Sequence, residues 1–93
     1  MNFEKIGLHC PIDLFGRKVH RFVHSISNLK SDVYIIKGEV EVNAKSLLGI
    51  LSLTIRKDDD IIISCNNEDK SLAKMELNHV VTVLNGLGAD ETV

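Results

Sequence analysis

Apolar positions along this chain change their period several times, and each change marks an element. Phe3, Ile6 and Leu8 alternate enough for an opening strand, closed by the single proline, Pro11. From Gly16 the spacing is helical. Val19, Phe22, Val23 and Ile26 fall at i, i+3, i+4 and i+7 and predict a helix that stops near Asn28. Ser31 and Asp32 break that pattern. Val33 to Lys37 is rich in β-formers and Val40-Glu41-Val42 alternates, so the two predict a hairpin turning at Lys37-Gly38-Glu39. Leu47 to Leu51 is apolar, interrupted by Gly49, and predicts only a short helix. Asp58-Asp59-Asp60 forms a solvated turn before Ile61-Ile62-Ile63, a continuous apolar run suited to a central, buried strand. Glu68 and Asp69 open a last helix, with acids at the positive end of its dipole. Its stripe is Ala73, Leu77, Val80, Val81 and Leu84, its expected stop is Gly86, and residues 88–93 are expected to be a frayed tail.

The predicted order is β-α-β-β-α-β-α. It suits an α+β fold with helices on one face of an antiparallel sheet, although pattern alone also admits another two-layer connection. Ninety-three residues make one domain, 1–93, with 44% hydrophobic residues to fill a single core. The formal net charge of -2, with scattered Lys and Arg, argues against a non-specific nucleic-acid binder. Two cysteines, Cys10 and Cys65, make neither a disulfide framework nor a metal set and are expected to pack as reduced thiols. The first residues contain no long apolar run and no stretch approaches a membrane span, so a cytoplasmic protein without a signal peptide is expected.

The most informative segment is Val42-Asn43-Ala44-Lys45-Ser46-Leu47-Leu48-Gly49. Ser46 follows a strand and precedes an apolar run, which is where a serine ordinarily caps a helix. Two features add a functional reading. So short a helix cannot bury Leu47, Leu48 and Leu51 together, which leaves an apolar docking patch. A phosphate on Ser46 would also lie at a helix N-terminus, where dipole and amides tolerate it.

The run Asn43-Ala44-Lys45-Ser46-Leu47-Leu48-Gly49-Ile50-Leu51-Ser52-Leu53, preceded by Ser31-Asp32-Val33, resembles HPr, the histidine phosphocarrier of the bacterial sugar phosphotransferase system. The resemblance covers about residues 2–84 and implies an open-faced sandwich of four antiparallel strands covered on one face by three helices. In the Gram-positive branch it implies phosphorylation of the serine matching Ser46 by HPr kinase/phosphorylase. The phosphoserine form then binds a catabolite-control transcription factor.

The chain departs from the family where the carrier histidine belongs. The motif Gly-Leu-His-Ala-Arg-Pro falls, without gaps, on residues 13–18, with Leu14 and Arg17 matched, Phe15 in place of the histidine and Lys18 in place of the proline. Phenylalanine has no ring nitrogen to accept a phosphoryl group. Gly7-Leu8-His9-Cys10-Pro11 imitates the motif, but using His9 needs six extra residues before Ser31 and loses the matched arginine. His20 and His24 stand at a metal-ligand spacing with no third ligand nearby and are expected on a solvated face; His79 is expected at a boundary.

The expected function is therefore regulatory, in carbon catabolite control. The resemblance is to the catabolite-repression variants of HPr, in which the carrier histidine is also replaced. Ser46 is the expected phosphoacceptor. Arg17, Leu47, Leu48 and Leu51 supply the contact surface, and no catalytic residue, cofactor, metal, nucleic acid or membrane is called for. Two alternatives are a phosphocarrier that uses His9 and an unphosphorylated interaction module on the same scaffold. None of these is an enzyme.

Overall fold

The computed structural model describes residues 1–89. The elements are β1 (Asn2–His9), α1 (Arg17–Ile26), β2 (Asp32–Lys37), β3 (Val40–Asn43), α2 (Leu47–Leu53), β4 (Asp60–Asn67) and α3 (Lys70–Ala89). The strands form one antiparallel sheet in the order β1-β4-β2-β3, so β4 is central, as its apolar run suggests. Gly38, at φ 62°, makes the β2–β3 turn in a backbone region where a Cβ would be strained. The α+β order and the antiparallel sheet agree with the sequence pattern.

One face of the sheet carries the core. Val33 and Ile35 of β2 and Ile61, Ile63 and Cys65 of β4 are buried in one cluster with Val19, Phe22 and Ile26 of α1, Ile50 of α2, and Leu77, Val80 and Leu84 of α3. Each fully buried Ile, Leu or Phe contributes roughly 1.5–3 kcal/mol relative to exposure. The other face is bare. Ile62 points into it and is 40% exposed, because successive strand residues alternate sides whatever their polarity. The run 61–63 is thus buried at two positions and not throughout. Phe3, also on the bare side, is exposed, whereas Leu8 packs against the core.

The last helix corrects the expected stop. α3 continues through Gly86 and Gly88 to Ala89, since Leu87 gains a buried place by doing so. A Cβ at Gly88 would lie 3.4 Å from both Pro11 and Ile12, at the edge of ordinary contact, so the end of α3 packs near that segment. Of the expected frayed tail, Gly88 and Ala89 are therefore helical, and residues 90–93 lie outside the described residues. Asp69 serves as the cap, its Oδ1 accepting from the Leu72 amide at 3.2 Å. Val81 is only half-buried and His79 is exposed, while Glu76, absent from the predicted stripe, is 8% exposed. Its carboxylate accepts from the amides of Lys30 at 3.0 Å and Ser31 at 2.7 Å, tying α3 to the α1–β2 connection. From the opposite side Lys45 Nζ donates to the carbonyls of Leu29 at 2.6 Å and Ser31 at 3.0 Å. An anion on the amides and a cation on the carbonyls hold one short connection.

Candidate functional site: the Ser46 helix and the Phe15 loop

Ser46 sits in extended conformation between β3 and α2. Two local devices put it there. Asn43 folds back, its Oδ1 accepting from the Lys45 amide at 2.8 Å and its carbonyl from the Ser46 amide at 3.0 Å. The Ala44 amide meanwhile stays attached to Val33 O at 2.8 Å. Ser46 Oγ then accepts from the Gly49 amide at 3.1 Å and Ser46 O from the Ile50 amide at 3.1 Å, which starts the helix. Ser46 is thus an N-cap, as expected.

Gly49 interrupts the apolar run for a packing reason. Its φ is not positive, so conformational freedom is not the reason for it. A Cβ there would stand 3.2 Å from Ser46 Oγ and 3.3 Å from Val42 Cβ, closer than ordinary contact. A glycine breaking an apolar helical run was the available signal.

Packing sorts the helix as its length requires. Ile50 and Leu53 are buried and Leu47 is half-buried, whereas Leu48 is 77% and Leu51 is 40% exposed. The far end of α2 closes on Thr54 in left-handed conformation, φ 50°. Lys37 Nζ donates there to Thr54 O at 2.9 Å and Leu53 O at 3.3 Å, and pairs with Asp59 at 2.9 Å. The Arg56 amide and the Lys37 ammonium, donating to the Asp59 carboxylate, hold its pKa below the usual range.

Residues 10–15 run alongside this end. Leu14 N donates to Ile55 O at 2.9 Å, Lys57 N to Asp13 Oδ1 at 2.9 Å, and Asp58 N to Cys10 O at 2.8 Å. The pairing brings Phe15, 62% exposed, beside Leu51. Between them lies a groove of about 400 Å³ lined by Asp13, Leu14, Phe15, Leu51, Thr54, Ile55 and Arg56. Gly16, at φ 64°, then turns the chain into α1 without a side-chain cap. Arg17 is the first helical residue and is exposed. Lys18 stands where the resembled motif has its proline, and Gly16 sets the turn into the helix instead.

The histidines are elsewhere. His9 ends β1 opposite Asp60, with Nδ1 2.5 Å from Asp60 Oδ1 and both side chains largely exposed, and it does not line the Phe15 groove. His20 and His24 are exposed on α1, and no group of three or more metal-ligating side chains occurs among the described residues. Cys10 and Cys65 are buried free thiols, and burial pushes Cys65 up to about 11. No helix among the described residues is long and apolar enough to cross a membrane.

The structure thus brings Phe15 and Leu51 into one groove, leaves Leu48 exposed one turn earlier on α2 and puts Ser46 at the start of the same helix. Asp13, Thr54, Ile55 and Arg56 join the groove only through the pairing of two distant loops, which no local pattern announces. The chain as a whole is similar to known proteins. Residues 4–83 match the family model described as the PTS HPr component phosphorylation site. Phosphocarrier protein HPr of Buchnera aphidicola is 39% identical over 81 residues, 87% of this chain and 95% of that protein. The HPr-like protein Crh of Bacillus subtilis is 28% identical over 74 residues, 80% of this chain and 87% of that protein. The crystal structure of HPr from Bacillus anthracis superposes with a TM-score of 0.78 at 26% identity, covering 88% of this chain and 96% of the other. A family match over most of the chain, on a sheet and helices of the same order, makes this protein a member of the HPr family of the phosphotransferase system.

Proposed function

We propose that this chain is a regulatory HPr-like protein, acting in carbon catabolite control through phosphorylation of Ser46 and without a histidine relay. What supports this reading is the exposed phenyl ring of Phe15, at the position that the resemblance gives to the carrier histidine, together with the half-buried Ser46 cap of α2. The kinase and the catabolite-control transcription factor are assigned by family resemblance. Leu47, Leu48 and Leu51 form the docking patch, and Arg17 pairs with the phosphate or with a partner carboxylate. Phosphate on Ser46 adds a charge of about -1.5 to -2 beside an uncharged apolar face, which changes partner choice without refolding.

A second reading has one observation in its favour. His9 Nδ1 lies 2.5 Å from Asp60 Oδ1 and its side chain is largely exposed, so a neutral imidazole there is accessible to a phosphoryl donor. Two labelling reactions separate the readings. With ATP and HPr kinase/phosphorylase, acid-stable phosphate is expected on the parent and not on Ser46→Ala. With phosphoenolpyruvate and the first enzyme of the system, no label is expected. Acid-labile phosphate lost in His9→Ala would instead establish the carrier reading, and no label in either reaction would leave a docking module.

A further inference from the structure

Glu76 is the one buried charged side chain among the described residues, and the function proposed above makes no use of it. A buried carboxylate is costly unless its oxygens are bonded, and here both are. They accept from the Lys30 and Ser31 amides, while Lys45 Nζ donates to the Leu29 and Ser31 carbonyls of the same connection. Asn67 Nδ2 adds a further hold on Ser31 Oγ at 3.1 Å. Two residues on, Val33 O accepts from the Ala44 amide at 2.8 Å. The segment leading into Ser46 is therefore attached to residues 29–33 twice, by its backbone at Ala44 and by its side chain at Lys45. Glu76 fixes the residues to which it is attached. The turn at Asn43 shapes the loop locally, and these longer-range bonds set where it stands.

We propose that Lys45 and Glu76 are positioning residues for phosphorylation of Ser46, acting through residues 29–31. Their role rests on the reading of Ser46 as the phosphoacceptor. In that reaction Ser46 Oγ attacks the γ-phosphorus of ATP, the bond to the β–γ bridging oxygen breaks and ADP leaves, and the hydroxyl proton passes to a base of the kinase. In-line transfer depends on where the attacking oxygen stands, so a loop that shifts loses rate even when the substrate still docks. Lys45 is next to Ser46 in the chain, yet its ammonium is half-buried and bonded to two carbonyls, so it places the serine rather than presenting a charge to the kinase. Glu76, thirty positions beyond Ser46, acts on the same serine from α3.

Phosphorylation kinetics with ATP and HPr kinase/phosphorylase test the proposal on Lys45→Met, Lys45→Arg, Glu76→Gln and Lys74→Met, the last at an exposed position of α3. For Lys45→Met and Glu76→Gln, kcat should fall about tenfold or more while KM stays near the parent value. Partial unfolding would do the reverse, lowering the concentration of folded substrate and raising the apparent KM. Lys45→Arg, able to donate to two carbonyls again, should recover most of the rate, and Lys74→Met should react as the parent does. Amide hydrogen exchange needs no kinase. Gly49 and Ile50, whose amides bond to Ser46 Oγ and O, should exchange faster in Lys45→Met and Glu76→Gln and at the parent rate in Lys45→Arg. If the parent takes no phosphate, the Ser46 reading fails by itself; faster exchange in the two variants would still support the hold on the cap. Unchanged exchange at Gly49 and Ile50 overturns the proposal. So does an unchanged kcat in both variants, or a loss confined to Lys45→Met, which would mean that the kinase reads the lysine directly.

Discussion

Glu76 shows how much a single side chain can decide. Burial acts to raise its pKa, but hydrogen bonds from Ser31 and the Lys30 amide, with the charge of Lys45, outweigh it and hold the carboxyl below its usual range. A carboxylate depressed in the folded state stabilises the protein fully above its unfolded pKa of about 4.3. That contribution fades as pH falls through the lower folded-state value. Glu76→Gln keeps the shape but loses charge on one oxygen and acceptance on the other, leaving a buried amide unpaired. It should cost about 1–3 kcal/mol at pH 7, read from urea melts, and the difference from the parent should shrink as the pH is lowered below about 4. An equal difference at pH 7 and pH 3 would contradict the charge assignment.

At the scale of the element, α3 and α2 use glycine in opposite ways. Gly86 lies inside α3, exposed, with nothing within 4 Å of a Cβ placed on it. Gly86→Ala should therefore stabilise the protein by about 0.5–1 kcal/mol, seen as a higher melting temperature. Gly49 offers no such gain, because its missing Cβ is the space that Ser46 Oγ and Val42 occupy. Element type and order were legible from period alone, since 3.6-fold and two-fold apolar spacing reflect which face is buried. Boundaries were less so. Gly86 carries the local signature of a stop, but the burial of Leu87 one residue later overrides it. The Ile61–Ile63 run concealed its own alternation because all three residues are apolar, and only the sheet shows that Ile62 faces outward.

At the scale of the whole molecule, the two thiols report on the core. Cys10 and Cys65 are both fully buried, and burial raises both thiol pKa values, Cys65 to about 11. In the native protein at pH 8 neither should react with a thiol reagent except through opening of the fold. Their labelling rates should therefore rise together with denaturant, tracking global stability. Rapid labelling of either thiol in the absence of denaturant would mean that its layer opens independently.

The family, the order of elements and the Ser46 cap could be read locally, because each is carried by residues close together in the chain. How these features meet depends on contacts between segments far apart in the chain. Phe15 lies beside Leu51 because residues 10–15 are hydrogen-bonded to residues 55–59, more than forty positions away. Glu76 is buried because two amides of a distant connection receive it. A short helix must leave part of its apolar surface outside, and pattern could announce that much for α2. That the exposed part is Leu48 and Leu51, with Leu51 lining a groove, follows from which neighbours cover the other side.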